Sequence, residues 1–209
     1  MKTAFLCLIL SLSAVAQSGH DTVTVKHRLY TTTYDTALHY PVHVEWLLTR
    51  EMMSCPQKLA RTNKFVPDPL LAKWTNVNAD YRQGGEDRGH NMPAEDNACD
   101  SVGETECFYF SNMTPQIARL NRGDWKELET YTRKVALQED SVYVECGSYG
   151  FVRKMGKVSV PAACWKILKV KKTGAVEAYL FRNDGSSEPL PQHATTVDSL
   201  EKLTGLDLK

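Results

Sequence analysis

Two short segments hold the residue types best suited to chemistry. One is Asp87-Arg88-Gly89-His90. The other starts at Ser111-Asn112-Met113-Thr114-Pro115-Gln116 and runs through Leu120-Asn121-Arg122-Gly123-Asp124-Trp125 to Leu128-Glu129. Together they offer an imidazole, an amide, carboxylates and guanidinium groups, the parts that hydrolysis of a phosphodiester needs. Water must lose a proton, and a histidine suits that task because its ordinary pKa lies near neutral pH. His90 is the candidate base. The phosphoryl and leaving oxygens need a sink for negative charge, which a single hard cation supplies. Mg²⁺ takes oxygen ligands and keeps several waters, so one or two protein oxygens suffice. The side-chain carbonyl of Asn121 is such a ligand. Arg61 and Arg88 are candidate phosphate clamps, since a guanidinium matches phosphate in a bidentate way.

Spacing separates the roles of Asn121 and Glu129. Eight residues on one helix correspond to about 12 Å of rise and an offset of about 80°. Side chains lean toward a helix's start, so Glu129 reaches back toward Asn121. The distance is too great for both to ligate one ion, and Glu129 is expected to hold metal-bound waters. Asp87 reads as a hydrogen-bonding partner and Asn112 as a turn residue that braces the site. His20, His27, His39, His43 and His193 lack such neighbours and read as ordinary polar residues. Arg119, Arg122, Lys126, Arg133 and Lys134 either line a nucleic-acid path or form a solvated face, and Lys166, Lys169, Lys171 and Lys172 carry the same ambiguity.

The elements that must position these residues follow from patterning. Thr22 to Glu51 is rich in Thr, Val, Tyr, Leu and Trp and reads as two or three strands, the last near Val42 to Leu48. Met52 to Gly85 is a long irregular connection marked by prolines and glycines. A short buried strand is expected at Cys107 to Phe110. A helix is expected from about Asn121 to Leu137, with Trp125, Leu128, Thr132 and Val135 on one stripe. Val142 to Cys146, Trp165 to Val170 and Ala175 to Phe181 read as strands. Val197 to Thr204 reads as a closing helix stopped by Gly205. The expected class is α+β, a single domain over 17–209.

Residues 1–16 read as a secretory leader: Lys2, an apolar run from Ala4 to Val15, then the small residues of Ala14-Val15-Ala16. The run is too short for a membrane span, and the expected product is exported, periplasmic or secreted. The full chain balances 25 basic against 25 acidic residues, which excludes a broad basic surface and leaves room for a local basic cleft. Beyond the leader remain Cys55, Cys99, Cys107, Cys146 and Cys164, an odd number, so at least one thiol stays outside intrachain disulfides. Cys99 and Cys107 are the first choice for a bond; Cys146 and Cys164, in strand-like apolar runs, could equally be buried thiols.

The two segments resemble the DNA/RNA non-specific endonuclease family, which includes secreted sugar-non-specific nucleases and endonuclease G within the ββα-metal, or His-Me finger, superfamily. The order Asp-Arg-Gly-His, Ser-Asn-x-Thr-Pro-Gln and Asn-x-Gly-x-Trp-x-x-Leu-Glu is kept over 87–129. Weaker likeness lies in Arg61 ahead of Asp68-Pro69, in Pro161 to Lys166, and in Val197 to Gly205. The resemblance implies a central antiparallel sheet flanked by helices. It also implies His90 as general base, Asn121 as metal ligand and Glu129 in support, with Mg²⁺ (or Mn²⁺) as the ion. DNA and RNA are the implied substrates, cut to leave 5′-phosphates. The alternatives are a retired binding module on the same fold, or a phosphodiesterase for small nucleotides. One feature opposes a polyanion partner: between Glu86 and Glu106 lie seven acids and one arginine, a local field expected to repel phosphate.

Overall fold

The computed structural model describes residues 21–82 and 84–208, so the expected leader lies outside the described residues. In chain order the elements are β1 (Thr22–Lys26), β2 (Thr31–Asp35), β3 (Tyr40–Thr49), α1 (Arg50–Met53), β4 (Asp87–His90), α2 (Ser101–Glu106), β5 (Met113–Gln116), α3 (Ala118–Arg122) and α4 (Asp124–Glu139). There follow β6 (Ser141–Tyr149), β7 (Arg153–Met155), β8 (Val158–Val160), β9 (Ala163–Val170), β10 (Ala175–Arg182), β11 (Ala194–Thr195) and α5 (Val197–Thr204).

A seven-stranded sheet in the order β1-β2-β3-β6-β9-β10-β11 forms the frame, and every adjacent pair is antiparallel. Period-two alternation decides what each face carries. Val44, Trp46 and Leu48 of β3, Val142 and Val144 of β6, and Leu168 of β9 join one core with Trp125, Leu128 and Ala136 of α4. The opposite face carries Trp165, Ile167 and Ala178, covered by Leu200 of α5 and Leu208 of the C-terminal tail. α5 opens on a Thr196 side-chain cap and closes at Gly205 in the left-handed region, as its sequence requires.

β4 and β5 form a separate two-stranded ribbon, with Asp87 opposite Gln116 and His90 opposite Met113. This ribbon followed by α3 and α4 is the ββα unit. The helix expected over 121–137 is two helices. Gly123 breaks it with φ −108° and ψ −106°. A Cβ there would come within 2.5 Å of the Arg119 carbonyl oxygen, so the turn requires glycine. Cys107 to Phe110 is a buried turn running into a short 3₁₀ segment rather than a strand, tied to Val66 by one parallel bridge.

The disulfide joins Cys55 to Cys99, not Cys99 to Cys107; Cys107, Cys146 and Cys164 are buried thiols. It anchors the irregular arm that carries Arg61. Leu59 N–H adds a bond to the Ala98 carbonyl (2.8 Å), and Thr62 N–H one to Glu104 Oε1 (3.0 Å). Its partners are 44 residues apart, and a loop of that size corresponds to about 4 kcal/mol of unfolded-state entropy. The Cys55→Ser/Cys99→Ser variant is therefore expected to lose stability of that order in denaturant unfolding. Dithiothreitol should lower wild type to the same midpoint.

Candidate active site

A cleft of about 340 Å³ is lined by Arg61, Arg88, His90, Glu95, Asn121 and Glu129, among others. The fold thus gathers five candidates from the irregular arm (Arg61), β4 (Arg88, His90), α3 (Asn121) and α4 (Glu129).

His90 ends β4 and is buried. Trp125 Nε1 donates to its backbone carbonyl at 3.1 Å, fixing the strand end against α4. Its ring lies edge-on to Phe108, with centroids 4.8 Å apart, and 5.6 Å from Phe65. Among the described residues its Nε2 is buried without a hydrogen-bond partner. Burial, helped by the nearby Arg61 charge, pushes the imidazole pKa down to about 3. The ring is therefore neutral at physiological pH, the form that accepts a proton, and an approaching phosphodiester anion would raise its basicity.

The same two aromatic rings carry the two guanidiniums. Arg88 Cζ sits 4.3 Å above Phe65, and its Nη1 donates to Asn78 Oδ1 at 2.7 Å. Arg61 Cζ sits 5.1 Å above Phe108, and its Nε donates to Asn63 Oδ1 at 2.8 Å. Phe65 and Phe108 each touch the His90 ring and each carry one arginine. Sequence reasoning missed both, because a platform is a relation between distant segments.

Asp87 orients Asn121. Its Oδ2 accepts from Asn121 Nδ2 at 2.9 Å, while Arg122 grips both carboxylate oxygens at 2.7 and 2.6 Å. Arg122 and Asn121 together hold this carboxyl below its usual pKa, against the opposing effect of burial. The amide nitrogen of Asn121 is thus engaged with the protein. Its oxygen, a hard donor, is left for a cation. That chemistry fits an ion that keeps most of its waters. Among the described residues there is no cluster of three His, Cys, Asp or Glu able to hold a metal, so a cation here would rest on Asn121 and water. Asp87→Ala frees the amide to rotate and is expected to weaken divalent-metal binding about 10- to 100-fold, measured by calorimetry.

Glu129 lies half-buried on α4. Burial pushes its carboxyl up to about 7; Lys166 and Arg133 oppose this, and Asp96 and Glu95 add to it. With the helix broken at Gly123, the single-helix spacing from Asn121 does not apply, yet both residues line the cleft.

Asn112 stands outside the cleft in a supporting position. Its Nδ2 donates to the Met92 and Cys107 carbonyls at 2.9 and 2.8 Å, and its Oδ1 accepts from Met92 N–H at 2.9 Å. It staples the chain just after His90. Asn112-Met113-Thr114 also reads as a glycosylation sequon, but the fully buried Asn112 leaves no room for a sugar. Asp68 is also structural: buried, paired with His27 at 3.0 Å, and accepting from Leu70 N–H.

Most acids of the segment are engaged with partners inside the fold, which offsets part of the expected repulsion. Asp87 is held by Arg122, Asp96 by Arg133 and Glu86 by Arg153. Asp100 caps α2 and pairs with Arg28, Glu104 accepts from Thr62 N–H, and Glu106 accepts from Arg28 N–H. Glu95 is the acid that faces the cleft as an exposed carboxylate, 3.8 Å from Arg61. Of the basic residues left open by the sequence, Arg122, Lys126 and Arg133 line the cleft. Lys134 lies on a neighbouring groove, Lys169 pairs with Glu145, Lys172 with Glu139, and Lys166 is buried.

The family model for DNA/RNA non-specific endonucleases matches residues 12–209. The chain is 30% identical over 210 residues to a nuclease of Serratia marcescens, covering 90% of this chain and 75% of that protein. It is 31% identical over 165 residues to the mitochondrial nuclease EXOG of Xenopus laevis, covering 68% of this chain and 46% of the relative. It is 32% identical over 158 residues to human mitochondrial endonuclease G, covering 66% and 53%. The chain thus spans about half the length of these two mitochondrial relatives. Among solved structures, EndoG from the EndoG/EndoGI complex, described there as inhibited, superposes with a TM-score of 0.81 at 26% identity. That match covers 88% of this chain and 84% of the other. Among the described residues, no helix is long and apolar enough to cross a membrane.

Proposed function

The chain belongs to the DNA/RNA non-specific endonuclease family, and on that premise we propose that it hydrolyses phosphodiester bonds of DNA and RNA with a divalent cation, leaving 5′-phosphates. The observation that carries this reading is a neutral, buried imidazole against the two aromatic rings that carry the guanidiniums, in one cleft with an amide whose nitrogen is tied down. Arg61 and Arg88 would seat the phosphate. His90 would take the proton from the attacking water. Asn121 would hold the cation and Glu129 its waters. Mg²⁺, or Mn²⁺ in its place, supplies the charge sink for the phosphoryl and leaving oxygens. Guanidinium, ammonium and amide groups dominate the polar lining, and such groups recognise backbone rather than base. This supports cleavage without base specificity. The Cys55–Cys99 bond and the leader-like N-terminus support an exported protein.

The test is incubation with supercoiled plasmid, structured RNA and small nucleotide diesters, with Mg²⁺ or with chelator. Metal-dependent cleavage of both polymers is the expected result. Turnover of the small diesters alone would establish the phosphodiesterase. Absence of turnover by folded protein with either metal would point to a binding module.

A further inference from the structure

Lys166 is one of the most deeply buried large side chains of the protein. It lies on β9, opposite Cys146 of β6 and Tyr179 of β10. Its ammonium sits 4.1 Å from the ring centroid of Trp125 and 5.7 Å from that of Trp46. Both indoles belong to the site's framework: Trp125 binds the His90 carbonyl, and Trp46 Nε1 donates to Asp96 Oδ2 at 3.2 Å. Trp125, Glu129 and Arg133 are spaced four apart on α4 and share one face.

Four charged side chains thus converge here, Glu129 and Arg133 lining the cleft and Asp96 and Lys166 behind it, with Glu95 at the rim. Lys166 acts electrostatically on both acids, and Asp96 acts on Glu129. Asp96 is bonded directly, by Trp46 and by Arg133 at 3.3 Å. Glu129 is different. No ion pair within 4 Å joins it to Lys166 or Arg133, and no side-chain hydrogen bond occupies its carboxylate among the described residues. The two indole faces hold the cation short of direct contact. A direct salt bridge would occupy the oxygens of Glu129, whereas a cation held off on aromatic faces offsets their charge and leaves them open.

We propose that Lys166 is a positioning residue that acts through Glu129, keeping that carboxylate charged and its oxygens free for the water shell of the cation. The inference rests on the reading that Glu129 supports the metal. The experiment therefore separates the two.

Full-length protein is stripped of metal, and Mn²⁺ binding is followed by the electron paramagnetic resonance signal of free Mn²⁺, with folding checked by near-ultraviolet circular dichroism. Lys166→Met is expected to weaken Mn²⁺ binding about 10- to 100-fold, as loss of an outer partner of a metal site does. Lys166→Arg, which keeps the charge, should stay within about threefold of wild type on the same scale. Glu129→Gln should lose about as much as Lys166→Met, and the double variant no more than Glu129→Gln alone. A merely structural lysine would give neither the charge rescue nor the non-additivity. Should Lys166→Met fail to fold, Lys166→Gln carries the same test. Folded Lys166→Met or Lys166→Gln with wild-type affinity, alongside a weakened Glu129→Gln, overturns the proposal and leaves the role of Glu129 standing. So does a double variant whose losses add, or a folded Lys166→Arg as weak as Lys166→Met. Wild-type affinity in Glu129→Gln overturns the underlying reading, and the proposal with it.

Discussion

Replacing His90 by alanine is expected to lower single-turnover cleavage of supercoiled plasmid by about 10²- to 10⁴-fold at neutral pH, the range of a positioned general base. The ring is buried against Phe65 and Phe108, and burial with the Arg61 charge keeps it neutral down to about pH 3. Acid alone therefore leaves the free enzyme's imidazole in its accepting form over the working range. The Trp125 bond goes to the backbone of residue 90 and survives the substitution, so the strand end should stay in place. Nucleic-acid binding in chelator should change little, because the guanidiniums rest on Phe65 and Phe108 rather than on the imidazole. Added imidazole should restore part of the lost rate by entering the space left behind. A His90→Ala rate within a few-fold of wild type would place the base elsewhere in the cleft.

Much of the frame was legible in the sequence because it obeys a local pattern. β3 alternates apolar and polar residues from Val42, β6, β9 and β10 are short runs rich in apolar and aromatic residues, and α5 carries its own stop at Gly205. What was not legible depends on distance along the chain. The break at Gly123 falls inside an unbroken helical pattern, and only the approach to the Arg119 carbonyl reveals it. The β7–β8 hairpin has three residues per strand, too few to show a period. Cys55 found its partner 44 residues away, across a stretch without periodicity. The acids of 86–106 looked repulsive because their partners Arg28, Arg122, Arg133 and Arg153 lie far off in sequence. His90, Asn121 and Glu129 were legible as types with suitable chemistry. Their common cleft is made by the fold, and the aromatic seats of Arg61 and Arg88 left no sequence signal.

Divalent-metal affinity of the metal-free protein is expected to rise about tenfold per pH unit up to about pH 7, then level off. The sign follows from Glu129, whose carboxyl is pushed up to about 7, chiefly by burial. Below that pH it carries a proton, which must leave before both oxygens can accept from metal-bound waters. Each ion bound then releases close to one proton near pH 6 and none near pH 8. Titration calorimetry in two buffers of different ionisation enthalpy measures that release directly. His90, near 3, and Asp87, held below the usual carboxylate range by Arg122, lie outside this window; Asp96, pushed up to about 6 by burial, lies inside it, and an Asp96→Asn variant separates its share from that of Glu129. Glu129→Gln should flatten the profile. The same shift has a consequence for the metal-free fold. A carboxyl whose folded pKa exceeds its unfolded value stabilises the protein while protonated, and that contribution is lost as pH rises from about 4.5 through about 7. Relative to Glu129→Gln, metal-free wild type should therefore lose thermal midpoint across that window and regain it on adding Mg²⁺. A pH-independent affinity in wild type would remove Glu129 from the metal's support and leave Asn121, oriented by Asp87, as the anchor of the cation.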